Sequence, residues 1–404
     1  MLNALMWITF APTRAACALF FAVDGDTIDW LSMSYMVVYP VAFALPTWYL
    51  EGDGKSLQRG LRLCALLNVA GAVLRFASTY SHSFPLLMSG QLILSIAQCL
   101  SLGVPPRVAA LWFGESEWGF ATGLGVLANQ CGPVVAYLVI PSLVTEDGVG
   151  LPLVLALESV LAVASTVLTF LAVPQHPTRP PSRAAASRTD IDTTFWEFCK
   201  SSLSMCRRDS LLQGMGYGVV VGVLYAFETL LGILLPSLSS QRLSVLGTTA
   251  LISGLPGSLF GGWVLDVTKQ YKWATIALTL APGLTLIGVT MLSAVADQHF
   301  VVVLALCSVA ACLLCAVLSA GFEWAVELSY PTSESTSAAV LNCWANIFGI
   351  VFIYGIEAVV QKRSCVFGNA LLVLGLLSAA ALLAVVSDRR NRQDLNPAAL
   401  KLLC

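Results

Sequence analysis

The sequence predicts an all-α membrane protein of twelve transmembrane helices in two six-helix halves. Three observations carry that prediction. Hydrophobic residues make up 57% of the 404 and charged residues only 11%, whereas a soluble domain carries about 25% charged residues. Apolar runs of about 17 to 25 residues, the length that crosses a hydrocarbon core of about 30 Å, recur along the whole chain. The basic residues collect on alternate sides of those runs.

In order, the runs fall near 1–23, 31–50, 61–79, 85–105, 119–142, 151–173, 211–236, 244–265, 273–294, 299–320, 336–360 and 367–387. The longest polar stretch, 174–209, is rich in Pro, Arg and Ser and divides them six and six, as a flexible linker does. The expected organisation is an N-terminal bundle over 1–173, a cytoplasmic linker over 174–209, a C-terminal bundle over 210–388 and a cytoplasmic tail over 389–404. With both termini inside, the outer side holds only Arg242, Lys362 and Arg363, while Arg14 and Arg75 fall within spans. Every other Lys and Arg of the 21 lies on the inner side. Cytoplasmic loops carry such an excess of Lys and Arg, and losing one span would scramble the alternation.

The composition also bounds function. The cysteines lie mostly inside apolar runs (Cys17, Cys64, Cys307, Cys312, Cys315) without the spacing of a metal site, so they read as small packing residues. No metal and no cofactor is expected. There is no Walker A motif, no phosphate-cradling loop after a strand and no sizeable soluble region, so neither an enzyme, an ATP-driven pump nor a nucleic-acid partner is indicated. The first 23 residues lack a basic n-region and are interrupted by Arg14, unlike a signal peptide. The expected partners are a small-molecule substrate and the lipid bilayer. A monomer is expected in the plasma membrane, with an organelle membrane left open.

The halves repeat at a shift of about 217 residues. Trp112-Phe113-Gly114-Glu115-Ser116-Glu117 answers to Ser329-Tyr330-Pro331-Thr332-Ser333-Glu334, and Ala128-Asn129-Gln130-Cys131-Gly132 to Ala345-Asn346-Ile347-Phe348-Gly349. Parallel six-helix halves of this kind resemble the major facilitator architecture, in which substrate sits between the halves near the bilayer midplane. Gly262, Asp266, Lys269 and Lys272 form a G-x-x-x-D-x-x-K-x-x-K pattern at an inner helix end. It resembles the facilitator loop motif, whose acid and base hold helix ends together in one transport state. In the first half a looser stretch runs from Glu51 to Arg62. A merely solvated basic loop is the alternative for both.

Further strings resemble one family over essentially the whole chain. They are Asn3-Ala4-Leu5-Met6-Trp7-Ile8, Ile28-Asp29-Trp30-Leu31-Ser32-Met33, Pro106-Arg107 with Leu111-Trp112-Phe113-Gly114, and Gly321-Phe322-Glu323 with Ala325-Val326-Glu327. The sequence is thereby similar to the feline leukaemia virus subgroup C receptor-related (FLVCR) family, whose members are facilitators linked to choline and ethanolamine uptake and to haem export. The resemblance implies that Trp7 and Tyr225 enclose a quaternary ammonium and that Gln130 matches a family glutamine. Asn346 stands where the family has a second glutamine, one methylene longer. It also implies about a dozen helical residues and a cytoplasmic tail ahead of this point. Trp7 lies only roughly 9 Å of helix from Met1, so the N-terminus is expected to be incomplete.

The residues' own chemistry agrees. Trp7 and Tyr225 are 218 positions apart, nearly the repeat shift, so they occupy equivalent places in the two halves. Aromatic cages are a recurring solution for binding choline, with about 2 kcal/mol per desolvated cation–π contact. Charges inside spans are functional candidates. Glu228 follows Tyr225 by three residues on the same helix face, about 4.5 Å further along. It is a counter-charge for a cation, a proton-coupling carboxyl, or the partner of Arg14. Glu158 and Glu357 have no evident partner, and Glu323 and Glu327 flank the inner end of the tenth span as gating or loop-contact groups. His82, His176 and His299 fall in loops, which disfavours an axial haem pair. The leading expectation is facilitated transport of choline or a similar small amine. Transport of haem or another porphyrin, a non-transporting receptor and transport of an unrelated solute stay open.

Overall fold

The computed structural model describes residues 1–50, 54–145, 147–175, 194–203, 207–330 and 332–388, helical almost throughout and without strands among them. Most of the expected linker, the tail and Glu51 lie outside the described residues.

Six spans form the first half. They are α1 (Leu2–Phe21), α2 (Gly25–Ala42, then Ala44–Leu50 after a 69° bend), α3 (Gly54–Ser81), α4 (Phe84–Trp112), α5 (Trp118–Leu143) and α6 (Leu151–Ala172). The second half holds α7 (Arg208–Thr229), α8 (Ser240–Thr268), α9 (Tyr271–Leu292), α10 (Phe300–Ser329), α11 (Glu334–Lys362) and α12 (Cys365–Val385). Among the described residues eleven helices are long and apolar enough to cross a bilayer, and the bent α2 makes the twelfth. Side-chain caps set several starts. Asp24, Ser83, Ser239 and Ser333 accept from the backbone N–H three residues on at α2, α4, α8 and α11, which satisfies donors that a helix start leaves unpaired.

The described residues group into two compact units, one of 1–102 with 128–175, the other of 103–127 with 194–388. In the first, α3 packs against α4 and α6, and Phe10, Leu31, Tyr35, Leu87 and Leu155 are buried together. In the second, α8 and α10 cross backbone to backbone, because Gly257 and Gly261 leave no Cβ between them and the carbonyls of Cys312 and Ala316. Small residues bring membrane helices together in this way, since lipid offers no hydrophobic drive to do it.

The second unit also takes in the start of α5. A Cβ on Gly262 would run into the carbonyl of Gly119, and one on Gly119 into the carbonyl of Gly262. Gly262→Val is therefore expected to force the helices apart at a cost of about 1–3 kcal/mol or more. Surface biotinylation should show a several-fold loss of the variant and a smaller loss for Gly262→Ala.

Candidate functional site

The first half of the candidate site is built on a break in α1. Pro12 has no N–H for the carbonyl of Ile8, and its ring crowds that carbonyl. The helix stops at Ile8, passes through a 3-10 turn at Ala11–Thr13 and resumes at Arg14. Trp7 sits half-buried on the last turn before the break. Its indole N–H donates to the Ser32 carbonyl of α2 at 3.0 Å, and the Ser32 hydroxyl donates back to the Trp7 carbonyl at 3.5 Å. The indole edge is thus committed to protein. Gln130 lies half-buried in α5.

Arg75 of α3 and Glu158 of α6 form an ion pair at 3.0 Å with both side chains buried. This corrects the expectation that Glu158 lacks a partner. The pairing was hidden because 83 positions separate the two, and helical periodicity says nothing about which face of one span meets another. Glu158 also accepts from the Thr9 hydroxyl at 2.6 Å. Glu357, by contrast, accepts from Gln361 on its own helix at 3.4 Å. Arg14 donates to Asp29 at 2.8 Å and to Asp26 at 2.7 Å, so its guanidinium is already taken at the α1–α2 end.

In the second unit Tyr225 and Glu228 are both half-buried near the end of α7, with fully buried residues between them. They share one face, as their spacing requires. Glu228 has no hydrogen-bond or ion-pair partner among the described residues. Asn346 is buried in α11, its amide donating to the Asn342 carbonyl at 2.7 Å. One donor of that side chain is therefore spent inside its own helix.

At the start of α5, the Asp266 carboxylate caps the helix. It accepts from the backbone N–H of Gly119 at 3.0 Å and of Phe120 at 2.7 Å, where the positive end of the helix dipole favours an anion. Lys269 reaches Asp266 and the Glu115 carbonyl, each at 3.5 Å. The sequence pattern at 262–272 is therefore a set of helix-end contacts rather than a solvated loop. Thr122 of α5 donates to the Glu323 carboxylate. Because α10 runs on to Ser329, Glu323 and Glu327 are buried within the helix and do not flank it as the apolar run ending near 320 suggested. Thr122 was not singled out from sequence, since a lone threonine in an apolar run carries no signal.

Comparison with known proteins places this arrangement. The family model described as Major Facilitator Superfamily matches residues 1–355. The chain is 33% identical to the choline/ethanolamine transporter FLVCR1 of Felis catus, over 98% of this chain and 72% of that one. It is 32% identical to the choline/ethanolamine transporter flvcr2b of Danio rerio, over 98% and 82%. The chain belongs to the major facilitator superfamily, in its FLVCR branch. This facilitator also shares its fold with FucP in the outward conformation, at a TM-score of 0.71 and 14% identity over 96% of this chain and 97% of that one. A bacterial homologue of ferroportin superposes with a TM-score of 0.68 at 9% identity, over 96% and 100%. The facilitator is a multi-pass membrane transporter for a small molecule. Its helix-end contacts at Asp266 lie where the sequence pattern resembling the superfamily's loop motif falls.

Proposed function

We propose that this facilitator carries choline or a similarly small organic amine by alternating access, with Trp7, Gln130, Tyr225, Glu228 and Asn346 contacting the substrate. The observation that supports the reading most strongly is the match over 98% of the chain to proteins named choline/ethanolamine transporters, with aromatic residues standing at 7 and 225. The two rings offer π faces to the ammonium, and Glu228 offers charge. Gln130 and the shorter Asn346 serve the substrate's hydroxyl or amine end. Asp266, Lys269, Glu323 and Glu327 hold the inner mouth shut in one state, with Glu51 in the matching place of the first half. The transporter works as a monomer in the plasma membrane with both termini cytoplasmic. Cells expressing the chain should take up radiolabelled choline saturably, with ethanolamine competing. Haem accumulation in those cells without choline uptake would overturn the assignment.

A further inference from the structure

Three buried polar side chains of the first unit, Arg75, Gln91 and Glu158, converge on the break in α1. The Arg75 guanidinium donates to the Met6 carbonyl at 2.9 Å and lies 4.7 Å from the centre of the Phe10 ring. Glu158, its ion partner, holds the Thr9 hydroxyl. The Gln91 amide of α4 lies 3.5 Å from the Met6 carbonyl, 3.3 Å from that of Trp7 and 3.1 Å from that of Leu31 in α2. Arg75 and Gln91 are wholly buried and Glu158 nearly so. A backbone carbonyl released by a helix break in hydrocarbon must find another donor, and Arg75 and Gln91 supply it. A buried ion pair is a poor way to gain stability alone, because desolvation consumes the attraction. Here its contacts end on Met6, Thr9 and Phe10, the residues on either side of the Trp7 turn.

We propose that Gln91 and the Arg75–Glu158 pair are positioning residues, which hold the α1 break so that the Trp7 ring stands in one orientation for the substrate. The inference rests on Trp7 being a substrate residue and adds the machinery behind it. Gln91 is the sharper probe, since its amide joins the carbonyl of Trp7 to that of Leu31, next to the Ser32 carbonyl that receives the indole N–H.

The test is choline uptake per surface copy for Gln91→Met, Trp7→Ala and the double variant, with millimolar choline used for the weak binders. Gln91→Met, similar in volume but without the amide, is expected to raise the KM about tenfold, the size of one lost buried hydrogen bond, with the maximal rate changed less than the KM. Added to Trp7→Ala it should raise the KM by less than about twofold, because residues acting through one another are not additive. An unchanged KM in Gln91→Met, or the full tenfold rise on top of Trp7→Ala, overturns the proposal while leaving Trp7 in the site. A wild-type KM in Trp7→Ala removes Trp7 from the site and this proposal with it. Where Gln91→Met fails to reach the surface, Arg75→Gln with Glu158→Gln, which retires both charges together, carries the same comparison.

Discussion

Trp7→Ala is expected to raise the choline KM about 30-fold, and Trp7→Phe to raise it far less. The first figure is the loss of one desolvated cation–π contact of about 2 kcal/mol, converted at about 1.4 kcal/mol per factor of ten. Both variants lose the hydrogen bond from the indole to the Ser32 carbonyl, so the difference between them isolates the aromatic face from the anchor. Concentration-dependent uptake, normalised to surface protein, is the measurement. Equal impairment of the two would show that the anchor or the packing matters and the π face does not.

Glu228→Gln is expected to weaken choline by tenfold or more and to leave a neutral isostere, with carbon in place of the nitrogen, nearly unaffected as a competitor. A carboxylate about 5 Å from the ammonium at an effective dielectric near 20 contributes roughly 3 kcal/mol before desolvation. The structure simplifies this experiment. Arg14 already donates to Asp26 and Asp29, at an exposed position where such pairs contribute about 0–1 kcal/mol. Arg14→Gln should therefore leave the Glu228→Gln effect unchanged, and the two should combine additively. If Glu228→Gln lowers surface protein for every substrate alike and Arg14→Gln restores it, the two side chains are partners after all.

The spans were legible because hydrocarbon demands length and apolarity, which a single sequence displays directly. The ends were less so. An apolar run ends at its first charges, yet α10 continues past Glu323 and Glu327 to Ser329 because those carboxylates are buried. The tight α5–α8 contact was half legible. The pattern around Asp266 marked a helix-end contact, but not that its partners would be the backbone N–H groups of Gly119 and Phe120. The break in α1 at Pro12 was not read from the sequence, where 1–23 passed as a single apolar run, and its support by Arg75, Gln91 and Glu158 depends on three other helices whose mutual rotation no local pattern encodes.

Whether this chain itself moves a choline-like amine is read from purified protein in liposomes loaded with unlabelled choline, by counterflow of external radiolabelled choline with no ion gradient imposed. Transient accumulation of label above equilibrium is expected, abolished by Trp7→Ala at micromolar choline and absent from empty liposomes. Label no higher in protein-loaded than in empty liposomes, from protein that is folded and correctly inserted, would contradict it.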